Sequence, residues 1–282
     1  MNYEKFLELV KFSEKISEQI KKSYLEKSFK IVNWKDECDF ATEIDEKMEI
    51  QIAEKISELF PDHGIDGEEL TKKNLDAENI WYIDPIDGTK YFASGLPLFT
   101  SSIGLRKNGQ AVAGILINPM TGECVYGTKG FGCFKNVNGK TEKLKNIETE
   151  DDLSKAFVYF DTTGLHGAKE KLQKKGLEFI SELMKKTYRS RNLGASCFMA
   201  FGGVSGHLGA FVDVFGKTKA QDIAAFSAIL QELGYEERFF ELEGARNYAI
   251  GNARILDQIE EIIEGVGGKD LKAIKDKIKK SI

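Results

Sequence analysis

The chain has 282 residues, of which 41% are hydrophobic and 30% are charged, the balance of a globular protein with a substantial core. Its 45 acidic residues outnumber its 40 basic residues, for a formal net charge of −5, which argues against a general nucleic-acid-binding protein. The longest apolar run, Ala111 to Ile117, is too short to span a membrane. No signal peptide is visible at the first residues, so we expect a cytoplasmic protein.

Cysteine and histidine usage narrows the chemistry further. The four cysteines, Cys38, Cys124, Cys133 and Cys197, include no C-x-x-C pair. That spacing disfavours a zinc finger or a disulfide scaffold and suits a reducing compartment. The chain has only three histidines, so we expect any catalysis to depend on carboxylates.

Two helices are predicted in the first sixty residues. Apolar side chains recur at helical spacing in both, with Glu and Lys on the other face of the first. Thr42 and Asp45 have the spacing of a capping box at the start of the second helix. The predicted elements are a helix from Phe6 to Lys27, a strand from Phe29 to Trp34 and a helix from about Thr42 to Leu59.

Short β-like runs replace the helical pattern from residue 80 onward. Asn-Gly and Asn-Pro pairs separate several of these runs, as expected of antiparallel hairpins. The predicted strands are Ile80 to Ile83, Phe99 to Arg106, Ala111 to Ile117, Glu123 to Thr128 and Gly132 to Phe134.

Helices and strands alternate in the second half of the chain, and the change of pattern near Asn146 predicts two subdomains, 1–146 and 147–282. The mixture of alternation and meander favours stacked layers of helices and mixed sheet. The predicted strands are Ala156 to Phe160, His207 to Phe215 and Tyr248 to Gly251. The predicted helices are Ala168 to Lys186, Gln221 to Leu233, Ile255 to Ile263 and a lysine-rich surface helix in the tail from Leu271 to Ile282.

Three acidic segments carry the candidate chemistry. Each one alone has an ordinary structural explanation, as a turn, a solvated loop or the first turn of a helix. Together they offer several oxygen ligands from separate parts of the chain, which is what a hard cation such as Mg²⁺ requires. The segments are Gly67-Glu68-Glu69, Asp84-Pro85-Ile86-Asp87-Gly88-Thr89 and Asp222-Ile223-Ala224-Ala225.

The middle segment directly follows a predicted strand, so its carboxylates are expected at the strand's C-terminal end, where open sheets commonly bind ligands. Pro85 fixes its own φ and stiffens the predicted turn, which holds the two aspartates in a defined relation. Gly88 permits an unusual φ, so that the backbone N–H groups of Gly88 and Thr89 can point at an anion.

At these residues the sequence resembles the inositol monophosphatase family. The similarity lies in the signature W-x-I-D-P-I-D-G-T-x-N-F, which here runs from Trp81 to Phe92 with Tyr91 in place of Asn. It includes the upstream G-E-E and the downstream W-D-x-A-A, in which Gln221 replaces Trp. The resemblance is SuhB-like, with some features of archaeal-type dual inositol monophosphatase/fructose-1,6-bisphosphatases, and extends from about Lys35 to Asn252.

The resemblance implies an α+β fold, the layered αβαβα sandwich of the inositol monophosphatase/fructose-1,6-bisphosphatase type. It also implies a Mg²⁺-dependent, Li⁺-sensitive phosphoric monoester hydrolase that works as a homodimer with two or three Mg²⁺ ions. The expected reaction is hydrolysis of inositol 1-phosphate to inositol and phosphate by a metal-activated water.

The family's functional roles transfer to this chain position by position. The implied metal ligands are Glu68, Asp84, the Ile86 carbonyl, Asp87 and Asp222, with Asp84 shared by two ions. The implied catalytic residues are Asp45, Thr89 and Glu68, of which Thr89 and Asp45 orient the attacking water. The implied substrate contacts are Asp87, Gly88, Thr89, Gly194, Ala195, Ser196, Asp213 and Asp222. Lys35 lies about where the family often has a basic residue near the third metal.

The substrate is left open at this point. Lys217 and Lys219 precede Asp222 and either are solvated loop charges or meet a second phosphate. The second case favours fructose 1,6-bisphosphate or a 3′(2′),5′-bisphosphate nucleotide over a monophosphate. An interaction protein that keeps the phosphatase fold is a hypothesis from another class. For an enzyme, the expected partner is a small phosphorylated polyol or sugar, with no nucleic acid and no membrane.

Overall fold

The computed structural model describes residues 2–35, 39–145 and 148–270. The chain divides into two compact units, one of residues 1–145 and 220–229 and the other of residues 146–219 and 230–282. Residues 220–229, from the second half of the chain, therefore belong to the first unit. The predicted division into 1–146 and 147–282 places them in the second subdomain instead. Three features named from the sequence lie outside the described residues: Cys38, the boundary at Asn146 and the tail from Leu271.

The first unit is built on a large mixed sheet. Its helices are α1 Tyr3–Glu26, α2 Glu43–Leu59 and α3 Thr89–Ser94. Its strands are β1 Ile31–Trp34, β2 Phe40–Thr42, β3 Gly64–Gly67, β4 Lys72–Lys73, β5 Asn79–Asp87, β6 Thr100–Lys107, β7 Gln110–Asn118, β8 Glu123–Thr128, β9 Gly132–Val137 and β10 Lys140–Lys143. Eight of them form one sheet in the order β10-β9-β8-β7-β6-β5-β3-β4, in which only β3 and β5 run parallel. Strands β1 and β2 form a separate antiparallel pair.

The apolar stripes of α1 and α2 pack against this sheet, which confirms the two predicted helices. Burying such stripes against a half-apolar sheet is the main source of stability for amphipathic helices. The buried residues of this core include Phe6, Leu9, Ile16 and Ile20 of α1, Met48, Ile52 and Ile56 of α2, and Trp81, Ile83, Ile103, Leu105, Ile115 and Ile117 of the sheet.

The second unit contains a six-stranded sheet in the order β12-β11-β13-β15-β14-β16. Its strands are β11 Phe157–Asp161, β12 Arg189–Arg191, β13 Ala210–Asp213, β14 Glu236–Leu242, β15 Ala245–Gly251 and β16 Lys269–Asp270. The helices of the second half are α4 Glu170–Lys186, α5 Ser196–Val204, α6 Ala220–Glu232 and α7 Ala253–Gly265, with a short 3₁₀ helix at Leu153–Lys155. Residues 220–229 of α6 belong to the first unit.

The short strands β12 and β16 of the second unit are not predicted, and β13 and β14 also differ from the prediction. Strand β13 is shorter than the predicted His207 to Phe215, because the amides of His207 and Leu208 bond to the carbonyl of Gly202 and complete the end of α5. Strand β14 is not predicted at all, since its charged residues mask the alternation on which strand prediction depends. It pairs with β15 along its whole length.

Helices and mixed sheets together make this an α+β fold, as the sequence predicts. None of the helices in residues 2–35, 39–145 and 148–270 is long and apolar enough to cross a membrane. The described cysteines, Cys124, Cys133 and Cys197, are buried.

Candidate active site

Two acidic residues are brought together by the register of parallel strands. Strands β3 and β5 are parallel neighbours in which Gly67 is paired with Ile83. The residue that follows each of them is acidic: Glu68 comes directly after the end of β3, and Asp84 follows Ile83 within β5. The backbone N–H of Glu68 also donates to the carbonyl of Ile83, with an N···O distance of 2.9 Å. The G-E-E and D-P-I-D motifs therefore lie side by side at the carboxyl ends of two adjacent strands.

The expected turn at 84–89 is instead partly strand. Strand β5 continues to Asp87, and its pairing with β6 shifts register between Asp84 and Asp87. Pro85 has no N–H to donate to a sheet ladder, and this accounts for a bulge at that point. The carboxylate Oδ1 of Asp84 accepts the backbone N–H of Ile86 at 3.0 Å within the bulge. Because the strand continues, Asp84, Ile86 and Asp87 are all buried.

Helix α6 brings the third acidic residue, Asp222, in its first turn. Hydrogen bonds attach the residue before it to the sheet: the Ser102 hydroxyl donates to the Gln221 carbonyl at 3.2 Å. The side-chain amide of Gln221 in turn donates to the Asp66 carbonyl at 3.4 Å. Gln221, which replaces the family's Trp, thus ties α6 to strands β6 and β3.

Close packing of α6 on the sheet explains the two alanines that follow Asp222. Gly104 and Gly114 are paired on β6 and β7. A Cβ atom at either position would overlap the backbone of Ala225. The helix therefore lies directly on two glycines, and its distance from the sheet is set by backbone contact.

The result is a compact group of carboxylates. One oxygen each from Glu68, Asp84 and Asp222 lies within 4.8 Å of the other two. Burial raises the pKa of Asp84 well above its usual range, and the charges of Glu68, Asp87 and Asp222 raise it further. Like charges gathered in a buried place repel one another unless a cation or a proton neutralises them. The cluster therefore combines hard oxygen donors with the negative charge that attracts a divalent cation.

Lys35 supplies a positive charge beside this cluster. Its Nζ lies 3.1 Å from Glu68 Oε1 and 2.7 Å from Glu69 Oε1. Burial alone would lower the pKa of Lys35, but the two carboxylates outweigh that effect and raise it. Burial raises the pKa of Glu69 to about 7, and its contact with Lys35 opposes the shift.

Asp45 and Thr89 lie within hydrogen-bond distance of each other. The Thr89 hydroxyl lies 3.0 Å from Asp45 Oδ1 and 2.9 Å from the carbonyl of Ile86. Asp45 Oδ2 accepts the backbone N–H of Thr42 at 2.9 Å and also the Thr42 hydroxyl, which confirms the predicted start of α2. Burial raises the pKa of Asp45 to about 6, although the hydrogen bonds from Thr42 and Thr89 oppose the shift. Gly88, with φ of +99°, makes the turn from β5 into α3.

The remaining predicted substrate contacts lie in the second unit. Asp213 is buried, and its carboxylate accepts three backbone N–H groups, those of Phe215, Gly216 and Thr218, at 2.9–3.1 Å. Burial raises the pKa of Asp213 to about 6. Gly194 has a φ of +59° just before α5, and Ala195 and Ser196 are buried where that helix begins.

One buried acidic residue near the cluster is missed by sequence reasoning. Glu49 of α2 has no exposed surface, and its carboxylate bonds to the backbone of the loop that begins with Glu68 and Glu69. The sequence does contain a signal for Glu49, which is its position in the helix. Glu49 follows Asp45 by four residues and lies next to Met48 in the apolar stripe. An acidic residue at a helix position that faces the core needs hydrogen-bond partners.

Comparison with known proteins extends over most of the chain. Residues 2–263 match the model of a family described as the inositol monophosphatase family. A Thermotoga maritima protein named fructose-1,6-bisphosphatase/inositol-1-monophosphatase is 31% identical over 240 residues, which cover 82% of this chain and 86% of that protein. An Aquifex aeolicus protein of the same name is 36% identical over 149 residues, which cover 52% of this chain and only 56% of that protein.

Solved structures include similar folds. The structure of an IMPase from Thermotoga maritima matches with a TM-score of 0.69 and 28% sequence identity. The match covers 91% of this chain and 98% of that one. Likeness of fold thus extends across both halves of the chain.

Proposed function

Because this chain belongs to the inositol monophosphatase family, we propose that it is a Mg²⁺-dependent phosphatase that hydrolyses inositol 1-phosphate or a similar small phosphate monoester. The family match supports the phosphatase class. The observation that carries the metal dependence is the group of three carboxylates whose oxygens lie within 4.8 Å of one another. Without a cation, such a group is held together against its own charge repulsion.

The donor chemistry of the cluster fits Mg²⁺, which prefers carboxylate and carbonyl oxygens. One ion would be held by Glu68, Asp84 and the Ile86 carbonyl. A second would be held by Asp84, Asp87 and Asp222, so that the site takes two or three ions in all. When bound, Mg²⁺ supplies the positive charge that neutralises these carboxylates and the oxygens of the phosphate.

The protein's own groups account for the remaining steps. The Thr89 hydroxyl, held by Asp45, orients the attacking water and takes its proton while passing its own proton to Asp45 Oδ1. The backbone N–H groups of Gly88 and Thr89 donate hydrogen bonds to phosphate oxygens. From the family resemblance, Gly194, Ala195, Ser196 and Asp213 contact the hydroxyl groups of the substrate.

Fructose-1,6-bisphosphatase activity is the second candidate. Both relatives named above are bifunctional by name, and the Thermotoga protein aligns with 82% of this chain. Lys217 and Lys219 are the residues proposed to meet the second phosphate. The protein would work as a homodimer in the cytoplasm. Li⁺ would inhibit it, because Li⁺ can occupy a Mg²⁺ position.

A phosphate-release assay tests the proposal. Inositol 1-phosphate, fructose 1,6-bisphosphate and a 3′(2′),5′-bisphosphate nucleotide are each supplied with Mg²⁺ or with a chelator. We expect release that requires Mg²⁺ and a loss of at least about 100-fold in kcat/KM for Asp84→Asn. Asp76→Asn, the same change at an exposed position of the first unit, is the control and should match the wild type.

The substrate that gives the highest kcat/KM identifies the activity among these candidates. An absence of phosphate release from all three substrates in the presence of Mg²⁺ would refute the proposal. Equal activities of the wild type and Asp84→Asn would refute the role of the carboxylate cluster.

A further inference from the structure

A tight loop carries Glu68 from β3 toward β4. The backbone N–H of Gly67 donates to the carbonyl of Thr71 at 2.7 Å, which closes the loop on itself. Leu70, in the middle of the loop, is 50% exposed. A short, partly exposed loop of this kind needs an anchor if its side chains are to hold a fixed position.

Glu49 of α2 is that anchor. Its Oε2 accepts the backbone N–H of Glu69 at 2.6 Å. Its Oε1 accepts the N–H groups of Leu70 at 2.8 Å and Thr71 at 2.6 Å. Three consecutive amides of the loop thus converge on one buried carboxylate. A carboxylate has two oxygens and no donor, so it can accept all three bonds, whereas the NH₂ group of an amide side chain would face a backbone N–H.

Gly67 leaves room for this carboxylate. A Cβ atom at position 67 would overlap the carboxyl group of Glu49. The φ of Gly67 is not in the left-handed region, so the backbone there would accept another residue. The glycine of the G-E-E motif is therefore explained by the space that Glu49 occupies.

We propose that Glu49 is a positioning residue for the metal site, a role that rests on the proposed function. Glu49 is not one of the three clustered carboxylates; it acts by fixing the loop that begins with Glu68. The same helix carries Asp45 one turn earlier, and Asp45 bonds to Thr89. Helix α2 thus holds two parts of the site, the loop of Glu68 and the start of α3, at a fixed spacing.

The test compares Glu49→Gln with the wild type in the full-length protein. Mg²⁺ binding is measured by calorimetry without substrate, amide hydrogen exchange is measured at residues 69–71, and phosphate release is measured against Mg²⁺ concentration. We expect faster exchange at those amides and a Mg²⁺ dissociation constant raised about 10- to 100-fold. We expect kcat at saturating Mg²⁺ to change much less.

Two control variants on α2 separate positioning from general stability. Glu54→Gln makes the same chemical change at an exposed position and should keep the wild-type Mg²⁺ affinity. Ile52→Val removes one methylene from a fully buried side chain, so it lowers the melting temperature while leaving the Glu49 hydrogen bonds to the loop in place. It should also keep the wild-type Mg²⁺ affinity.

Gly67→Ala tests the same contact from the other side, because its added methyl displaces the Glu49 carboxylate. It provides the measurement if Glu49→Gln does not fold, and it should weaken Mg²⁺ binding in the same way. A wild-type Mg²⁺ affinity in Glu49→Gln or Gly67→Ala, whatever the melting temperature, would overturn the inference. A wild type that binds no Mg²⁺ and releases no phosphate would instead overturn the proposed function, and this inference with it.

Discussion

Two buried aspartates of the first unit have raised pKa values for different reasons. For Asp45 burial is the cause, and every hydrogen bond made to it favours the charged form. For Asp84 burial is joined by three neighbouring carboxylates, so charge repulsion adds to the loss of solvation. The first environment suits a group that accepts and releases a proton near neutral pH. The second suits a group that exchanges its proton for a metal ion.

The pKa of Asp45, about 6, predicts the acid side of the pH profile. As the pH falls through about 6, Asp45 is protonated and can no longer accept a proton from Thr89, so kcat decreases. Asp45→Asn should lower kcat by about 10²- to 10⁴-fold and remove this dependence. Glu43→Gln, at an exposed position in the first turn of the same helix, should retain the wild-type profile. A wild-type kcat that is constant from about pH 8 to about pH 5 would contradict the assignment.

At the scale of elements, the site depends on how α6 meets the sheet. Gly104 and Gly114 allow the backbone of Ala225 to lie against β6 and β7, and this contact sets the position of Asp222 three residues earlier. The bulge at Pro85 has a similar effect in β5, because it keeps Asp84 and Asp87 close together at the end of one strand. Each of these two features thus sets the position of carboxylates that we propose as metal ligands.

Gly114→Ala should therefore displace α6 from the sheet. The added methyl would overlap the Ala225 backbone, and overpacking of this kind costs about 1–3 kcal/mol in the free energy of unfolding. Because the displacement carries Asp222 with it, we expect Mg²⁺ affinity to fall as well. Gly167→Ala, where a Cβ meets no atom within 4 Å, is the control. Calorimetric melting and Mg²⁺ titration measure both effects. A wild-type Mg²⁺ affinity in Gly114→Ala would show that the contact between α6 and the sheet does not position Asp222.

At the scale of the whole molecule, the first unit is assembled from two separate parts of the chain. Residues 220–229 return to it after more than seventy residues that belong to the second unit. Glu68 and Asp84 come from the first part and Asp222 from the second, so the carboxylate cluster exists only in the folded chain. A cation that binds the cluster binds the folded state and not the unfolded one, and it must stabilise the fold.

Mg²⁺ should accordingly raise the melting temperature of the wild type. At a concentration 100 times its dissociation constant, one bound ion contributes about 2.7 kcal/mol to the free energy of unfolding, or several degrees. Asp84→Asn should abolish this shift. A carboxyl whose pKa is raised by folding favours the fold below its ordinary pKa of 3.8 and opposes it once the pH exceeds the raised value. Metal-free Asp84→Asn should therefore gain stability relative to metal-free wild type as the pH rises. Scanning calorimetry with Mg²⁺ or chelator measures both; equal Mg²⁺ shifts in the two proteins would contradict the model of the site.

The sequence by itself determined the helices α1, α2, α4, α6 and α7 and most of the strands, because apolar periodicity reports which face of an element is buried. It also determined the family and the three acidic motifs, because those depend on residue type and spacing along one chain. Only the tertiary structure decided the contacts of Glu49, the packing of α6 on Gly104 and Gly114, and the bulge in place of a turn at Pro85. Each of these depends on atoms from distant segments meeting within a few ångströms, and a single sequence carries no direct signal of such close approach.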